Sequence, residues 1–116
     1  MMRQRTYKMY FDDILTAIDR IFEYTQGYDY IAFKRDYKTV DAVVRNFEIL
    51  GEAVKNIPGD IKDQYPEVPW DEMYGLRNRI SHAYFGIDYE IIWDIITNYL
   101  PGNRTQIEKI SKEVSD

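Results

Sequence analysis

The amino-acid sequence predicts an all-α protein built as an up-and-down bundle of four or five helices. Apolar side chains recur with the 3.6-residue period of an amphipathic helix along most of the chain. Glycine and proline interrupt this pattern at intervals that suit short loops, and no stretch alternates for long enough to predict a strand. With 116 residues, the chain is expected to form one helical domain over residues 1–116.

The positions of the apolar residues and of the helix breakers predict six segments. They are residues 3–26, a helix that begins between Asp29 and Asp36 and ends near Ile57, a short turn over 60–64, residues 70–85, residues 88–99 and residues 103–114. Gly27 ends the first segment, and the pair Pro58-Gly59 ends the second. Asp88 is the expected N-cap of the fifth segment, and the pair Pro101-Gly102 is expected to break it.

Charge and composition exclude several classes of protein. The net charge of −5 argues against a protein that coats nucleic acid, because such proteins neutralise phosphates with positive charge. It leaves room for a local basic cleft, which would have to bring together Arg77, Arg79 and Arg45. The absence of cysteine excludes disulfides and thiolate sites and fits a cytoplasmic location. No apolar run approaches the length of a membrane span, so no membrane partner is expected.

The segment over residues 75–88 carries the side chains best suited to phosphate chemistry. On a helix, four apolar residues would fall within an arc of roughly 80° and face the core: Met73, Leu76, Ile80 and Ala83. A second set would spread over about 140° on the opposite side: Arg77, Asn78, Ser81 and His82. Arg79 and Tyr84 lie in the same segment, and His82 is the only histidine in the chain.

These residue types suit RNA cleavage by internal transesterification. The 2′-hydroxyl attacks the neighbouring phosphorus, so the reaction needs a proton acceptor, a proton donor and a cation, but no metal. The imidazole of His82 suits proton transfer at neutral pH, and the guanidinium of Arg77 suits two parallel hydrogen bonds to phosphate oxygens. One histidine cannot supply both acid and base, so a symmetric dimer would have to bring two copies together.

A purely structural role is the alternative for the same residues. His82 would then form a hydrogen bond near a helix end, and the arginines would form surface ion pairs with acids such as Asp71, Glu72 or Asp88. A transition-metal site is not predicted, because the chain has one histidine, no cysteine and no spacing typical of metal ligands. No glycine-rich phosphate loop precedes a helix, so no cofactor is expected.

The sequence resembles a known family well beyond this segment. The run Arg77-Asn78-x-x-x-His82-x-Tyr84 is similar to the R-x-x-x-x-H-x-Y signature of HEPN domains, and specifically of the HepT toxin family. Leu50-Gly51-Glu52-Ala53 resembles the family's Ile-Gly-Glu-Ala, and residues 65–70 resemble its Tyr-Pro-Glu-Ile-Pro-Trp. The flanks of the motif and the later Trp93 and Leu100-Pro101 also match, so the resemblance covers about residues 47–101.

The resemblance implies a HEPN-like helical homodimer that acts as a metal-independent ribonuclease toxin. Arg77 would hold the scissile phosphate and His82 would transfer the proton. Asn78, Arg79 and Ser81 would bind or orient the phosphate and the RNA. Glu52 would pair with a motif arginine across the interface between two helices.

The resemblance also implies a partner that silences the toxin. A minimal nucleotidyltransferase antitoxin of the MntA type would attach AMP units to Tyr84, which adds negative charge and bulk to a cleft that must admit RNA. The alternative is a non-catalytic helical subunit that binds such a nucleotidyltransferase and presents substrate to it. The intact Arg77, His82 and Tyr84 favour the toxin, whereas the net negative charge favours the subunit.

Overall fold

A computed structural model gives the fold of residues 7–82 and 88–114. At positions 77–79, 81 and 82 it describes the backbone without the side chains. The described residues form helices and no strands, which confirms the all-α class. None of the helices in these two ranges is long and apolar enough to cross a membrane.

The described ranges contain seven α-helices and one π-helical segment. They are α1 (Tyr7–Thr25), α2 (Tyr30–Arg35), α3 (Tyr37–Lys55), α4 (Gly59–Gln64), α5 (Trp70–His82), α6 (Tyr89–Asp94), the π-helical segment Ile95–Tyr99, and α7 (Leu100–Glu113). The short turn predicted over residues 60–64 is therefore confirmed as α4.

Helix α1 confirms the first predicted helix over its described part. Its buried residues recur at the predicted helical spacing and include Phe11, Ile14, Ile18 and Ile21. The chain leaves the helix through Gly27, whose φ of 79° lies in the left-handed region that glycine adopts without strain. The predicted start at residue 3 lies outside the described residues.

The predicted second helix is divided in two at Asp36. Asp29 caps α2 by accepting a hydrogen bond from the Ala32 backbone N–H at 2.8 Å. Asp36 then ends α2 and caps α3, accepting from the Thr39 backbone N–H at 3.2 Å and from its hydroxyl at 2.8 Å. The Tyr28 hydroxyl donates to the same carboxylate at 2.6 Å. One aspartate therefore joins the end of one helix to the start of the next.

The prediction that Pro101-Gly102 breaks the last helical region is wrong. Asp88 caps α6 as predicted, accepting from the Ile91 backbone N–H at 3.1 Å. The helix then widens into the π-helical segment, and the Leu100 N–H donates to the carbonyl of Ile95, five residues earlier. Pro101 follows directly after this π-helical turn, in the first turn of α7, and the shift of register before it accommodates a residue that has no N–H to donate.

Helix α3 forms the centre of the bundle, with α1 and α5 packed against it and α7 packed against α1. One apolar core joins these helices and includes Phe11, Phe33, Phe47, Leu50 and Leu100, all fully buried. At the surface, Arg104 of α7 donates to both carboxylate oxygens of Asp19 of α1, at 2.6 and 3.2 Å. The Asp19 contact therefore holds α7 to α1 in addition to the core, and Arg104 also donates to Glu108 within α7.

The hydrogen bonds that Asp36 accepts between α2 and α3 lead to a prediction about stability and pH. The Tyr28 hydroxyl first, and then the Thr39 hydroxyl and N–H, hold the pKa of the Asp36 carboxyl below its usual value. Because this pKa is depressed on folding, the stabilisation is present above the ordinary aspartate pKa and is lost as the pH falls through the lowered one. Asp36→Asn should therefore reduce the free energy of unfolding at pH 7, and the difference from the wild type should shrink towards about pH 2.

Urea unfolding followed by circular dichroism at both pH values measures this difference. Asparagine caps helices about as well as aspartate, so the comparison isolates the charge. Asp63→Asn, at an exposed position of α4, makes the same charge change as a control. A difference for Asp36→Asn that stays constant with pH would contradict the prediction.

Candidate functional site

The start of α5 is fixed by Trp70. This residue is largely buried, and its indole N–H donates to the carbonyls of Lys62 at 3.2 Å and Tyr65 at 3.0 Å. Its ring lies 6.3 Å from that of Phe11, which anchors the entry of α5 to α1. The Tyr-Pro-Glu-Val-Pro-Trp run therefore serves to set where the motif helix begins.

The loop before α5 is also tied to the C-terminal helix. The Tyr65 hydroxyl donates to a carboxylate oxygen of Glu113 at 3.1 Å, and the Gln106 amide donates to the Glu67 carbonyl at the same distance. Partial desolvation and then the Glu113 contact raise the pKa of Tyr65. These contacts hold the loop in place between α4, α5 and α7.

The core-facing stripe predicted for α5 is confirmed. Met73, Leu76 and Ile80 are at most 6% exposed, and α5 packs against α3. Ala83, the last member of the predicted stripe, lies outside the described residues. The buried stripe fixes the rotation of α5 about its own axis, because turning the helix would expose these three side chains.

The predicted site residues fall into three groups. Five of them share the second half of α5, where the structure describes the backbone and not the side chains: Arg77, Asn78, Arg79, Ser81 and His82. Arg77 and His82 are five residues apart, a rise of about 7.5 Å along a helix. Tyr84 lies outside the described residues. Glu52 is an exposed residue of α3, the helix against which α5 packs.

Glu52 lies in a polar groove of about 430 Å³ between α1 and α3. Other polar residues of this groove are Tyr10, Asp13, Arg45, Glu48 and Asn56. Arg45 and Glu48 form an ion pair at 3.4 Å across one helical turn. Apart from Glu52 and Arg45, sequence reasoning did not single these residues out, although Glu48, Glu52 and Asn56 recur every four residues and so share one face of α3.

A second groove lies between α5 and the C-terminal helical region, and sequence reasoning missed it. Its volume is also about 430 Å³, and its lining includes Glu72, Met73, Leu76, Ile91, Tyr99 and Asn103. Tyr99 shares the helical spacing of the apolar residues in the predicted segment 88–99, but the residue is 58% exposed. The π-helical segment that ends at Tyr99 shifts the helical register, which periodicity alone does not predict.

Among the residues whose side chains the structure describes, no three Asp or Glu side chains lie together in an arrangement that could hold a metal ion. In the described part of the chain, the candidate site therefore consists of helix α5, a polar groove beside α3 and an apolar groove beside the C-terminal helices.

Comparison with known proteins places the chain in a family. A family model described as "Ribonuclease HepT-like" matches residues 14–110. A probable ribonuclease HepT of Thermococcus cleftensis is 42% identical over 109 residues, covering 94% of this chain and 99% of the relative.

Two further relatives are each named "putative RNase". One, from Methanocaldococcus jannaschii, is 42% identical over 113 residues, covering 97% of this chain and 93% of its own. The other, from Caldanaerobacter subterraneus subsp. tengcongensis, is 36% identical over 106 residues, covering 91% and 95%. No solved structure gives a significant match. The chain belongs to the HepT-like ribonuclease family.

Proposed function

We propose that this chain is a metal-independent endoribonuclease and the toxin of a toxin–antitoxin pair. One observation carries the proposal: in a chain of the HepT-like ribonuclease family, Arg77, Asn78 and His82 occupy one helix at the spacing of the family's signature. The burial of the α5 stripe supports it, because a helix with a fixed rotation can hold catalytic groups in a reproducible geometry.

The proposed reaction is transesterification within the RNA strand. A neutral His82 imidazole accepts the proton of the 2′-hydroxyl as its oxygen bonds to the adjacent phosphorus. The bond from phosphorus to the 5′-oxygen breaks, and that oxygen takes a proton from an imidazolium. The products are a 2′,3′-cyclic phosphate and a 5′-hydroxyl. Arg77 binds the non-bridging oxygens, whose charge rises in the transition state, with Asn78, Arg79 and Ser81 as further contacts to the phosphate and the RNA.

The proposed reaction requires two copies of the chain. The neutral and protonated imidazoles must be present together, and each chain has one histidine. A two-fold symmetric dimer with one α5 from each subunit facing a shared cleft supplies both histidines and two copies of Arg77. Glu52, exposed on the helix that packs against α5, is proposed to pair with a motif arginine and hold it in the cleft.

Control of the toxin is proposed to act on Tyr84. An MntA-type nucleotidyltransferase would catalyse attack of the Tyr84 hydroxyl oxygen on the α-phosphorus of ATP, with loss of the phenolic proton and release of pyrophosphate. The AMP left on the tyrosine adds a phosphodiester charge and a nucleoside close in sequence to His82. Both oppose the entry of an RNA backbone into the cleft.

The net charge of −5 favours the alternative, a non-catalytic helical subunit that binds the nucleotidyltransferase. The clustering of Asp13, Glu48 and Glu52 in the α1–α3 groove adds to it, because this surface repels phosphate. The two functions differ in what the purified chain does alone: a ribonuclease cleaves RNA without its partner, and a presenting subunit does not.

Substitution of the proposed catalytic residues should abolish cleavage. Arg77→Ala and His82→Ala should each lower the rate at least about a hundredfold, because each removes a group that acts in the transition state. The assay follows a labelled single-stranded RNA in the presence of EDTA, in which the wild type should remain active. Arg35→Ala, at an exposed position of α2, is the control. Full activity of both variants, or loss of wild-type activity in EDTA, would contradict the mechanism.

Removal of the Tyr84 hydroxyl should separate toxicity from its control. Tyr84→Phe should still cleave RNA and arrest growth, but should gain no AMP when incubated with ATP and the nucleotidyltransferase. Intact-mass spectrometry of both proteins measures the added mass directly. Tyr37→Phe, which removes the hydroxyl of another exposed tyrosine, is the matched control and should be modified as the wild type is. An undiminished mass increase in Tyr84→Phe would place the modification elsewhere.

A further inference from the structure

The apolar groove between α5 and the C-terminal helical region has no role in the proposed reaction. Its floor is formed by buried side chains, among them Met73 and Leu76 of α5. Tyr99 stands at its edge with 58% of its side chain exposed, and Ile91 is 37% exposed beside it. An exposed aromatic ring beside an apolar floor offers a flat surface on which a ligand can stack.

Besides Tyr99, the groove is lined by three polar side chains. The carboxylate of Glu72 and the half-buried amide of Asn103 form no hydrogen bond with the residues that the structure describes. Asp94 also lines the groove, and one of its oxygens accepts from the Asn98 amide at 2.6 Å. A ligand in this groove would therefore meet two carboxylates, one amide and one aromatic ring.

This chemistry fits a nucleobase better than a phosphate. The carboxylates of Glu72 and Asp94 repel phosphate but complement exocyclic amino groups, which donate hydrogen bonds. The Asn103 amide can donate and accept at once, which matches the adjacent amino group and ring nitrogen of adenine or cytosine. A volume of about 430 Å³ lies at the small end of the range for small-molecule sites.

We propose that this groove binds an unpaired adenine or cytosine of the RNA substrate, stacked on Tyr99 and read by Asn103. The inference rests on the proposed ribonuclease function for its substrate. Single-stranded RNA is recognised in this way in general, by stacking of unpaired bases on aromatic side chains and hydrogen bonds to their edges.

The test measures binding apart from cleavage. The probes are oligo(A), oligo(C) and oligo(U) of equal length with 2′-O-methyl groups, which lack the attacking hydroxyl. The wild type should bind oligo(A) and oligo(C) more tightly than oligo(U). Tyr99→Ala should weaken binding about tenfold, Tyr99→Phe should retain it, and Asn103→Ala should reduce the preference for oligo(A) and oligo(C) over oligo(U). Tyr37→Ala, on an exposed tyrosine outside the groove, should bind as the wild type does.

Two results would overturn the inference. Unchanged binding by Tyr99→Ala would exclude stacking in this groove. If sedimentation shows that the wild type is a dimer and that Tyr99→Ala is a monomer, a second copy of the chain occupies the groove. Failure of the proposed ribonuclease function gives a different result from failure of this inference. If the wild type never cleaves unmodified RNA, the chain is not a ribonuclease. Loss of oligonucleotide binding in Tyr99→Ala would still place a base in the groove.

Discussion

The packing of α5 against α3 is the constraint on which the rest of the structure depends. Met73, Leu76 and Ile80 are buried along one stripe of α5, and Trp70 anchors its first turn through two hydrogen bonds to carbonyls before it. Burying a side chain of this size stabilises a fold by about 1.5–3 kcal/mol, so rotating the helix would be costly. The backbone that carries the motif is therefore fixed by residues with no part in the proposed chemistry.

The two grooves explain how an acidic protein could handle RNA. Negative charge is concentrated between α1 and α3, where Glu48 and Glu52 lie, and at the edge of the apolar groove. We propose that phosphate is bound by the arginines of α5 and that a base enters the apolar groove, so that contacts to the backbone and to the base are divided between two places. Discrimination by base chemistry would then compensate for weak overall attraction to the RNA backbone.

The sequence predicted the parts of the fold that depend on helical periodicity and capping. The α5 stripe and the Asp88 cap are confirmed, because each rests on contacts within one or two helical turns. The division of the second helix at Asp36 and the helical course through Pro101 were missed. Both depend on tertiary context: the first on a hydrogen bond from Tyr28, and the second on a π-helical turn that shifts the register before the proline.

The central claim is that the two α5 helices of a dimer face each other across one cleft. The distance between these two helices tests the claim most directly. The chain has no cysteine, and a Cβ atom added at Gly75 would meet nothing within 4 Å. Gly75 lies seven residues, or about two helical turns, before His82, so the two positions fall on the same side of α5. Spin labels on Gly75→Cys in the dimer should lie within about 20 Å, the length of α5, and closer than labels on Gly59→Cys. A chain that cleaves RNA as a monomer, or Gly75 labels farther apart than those at Gly59, would contradict the account.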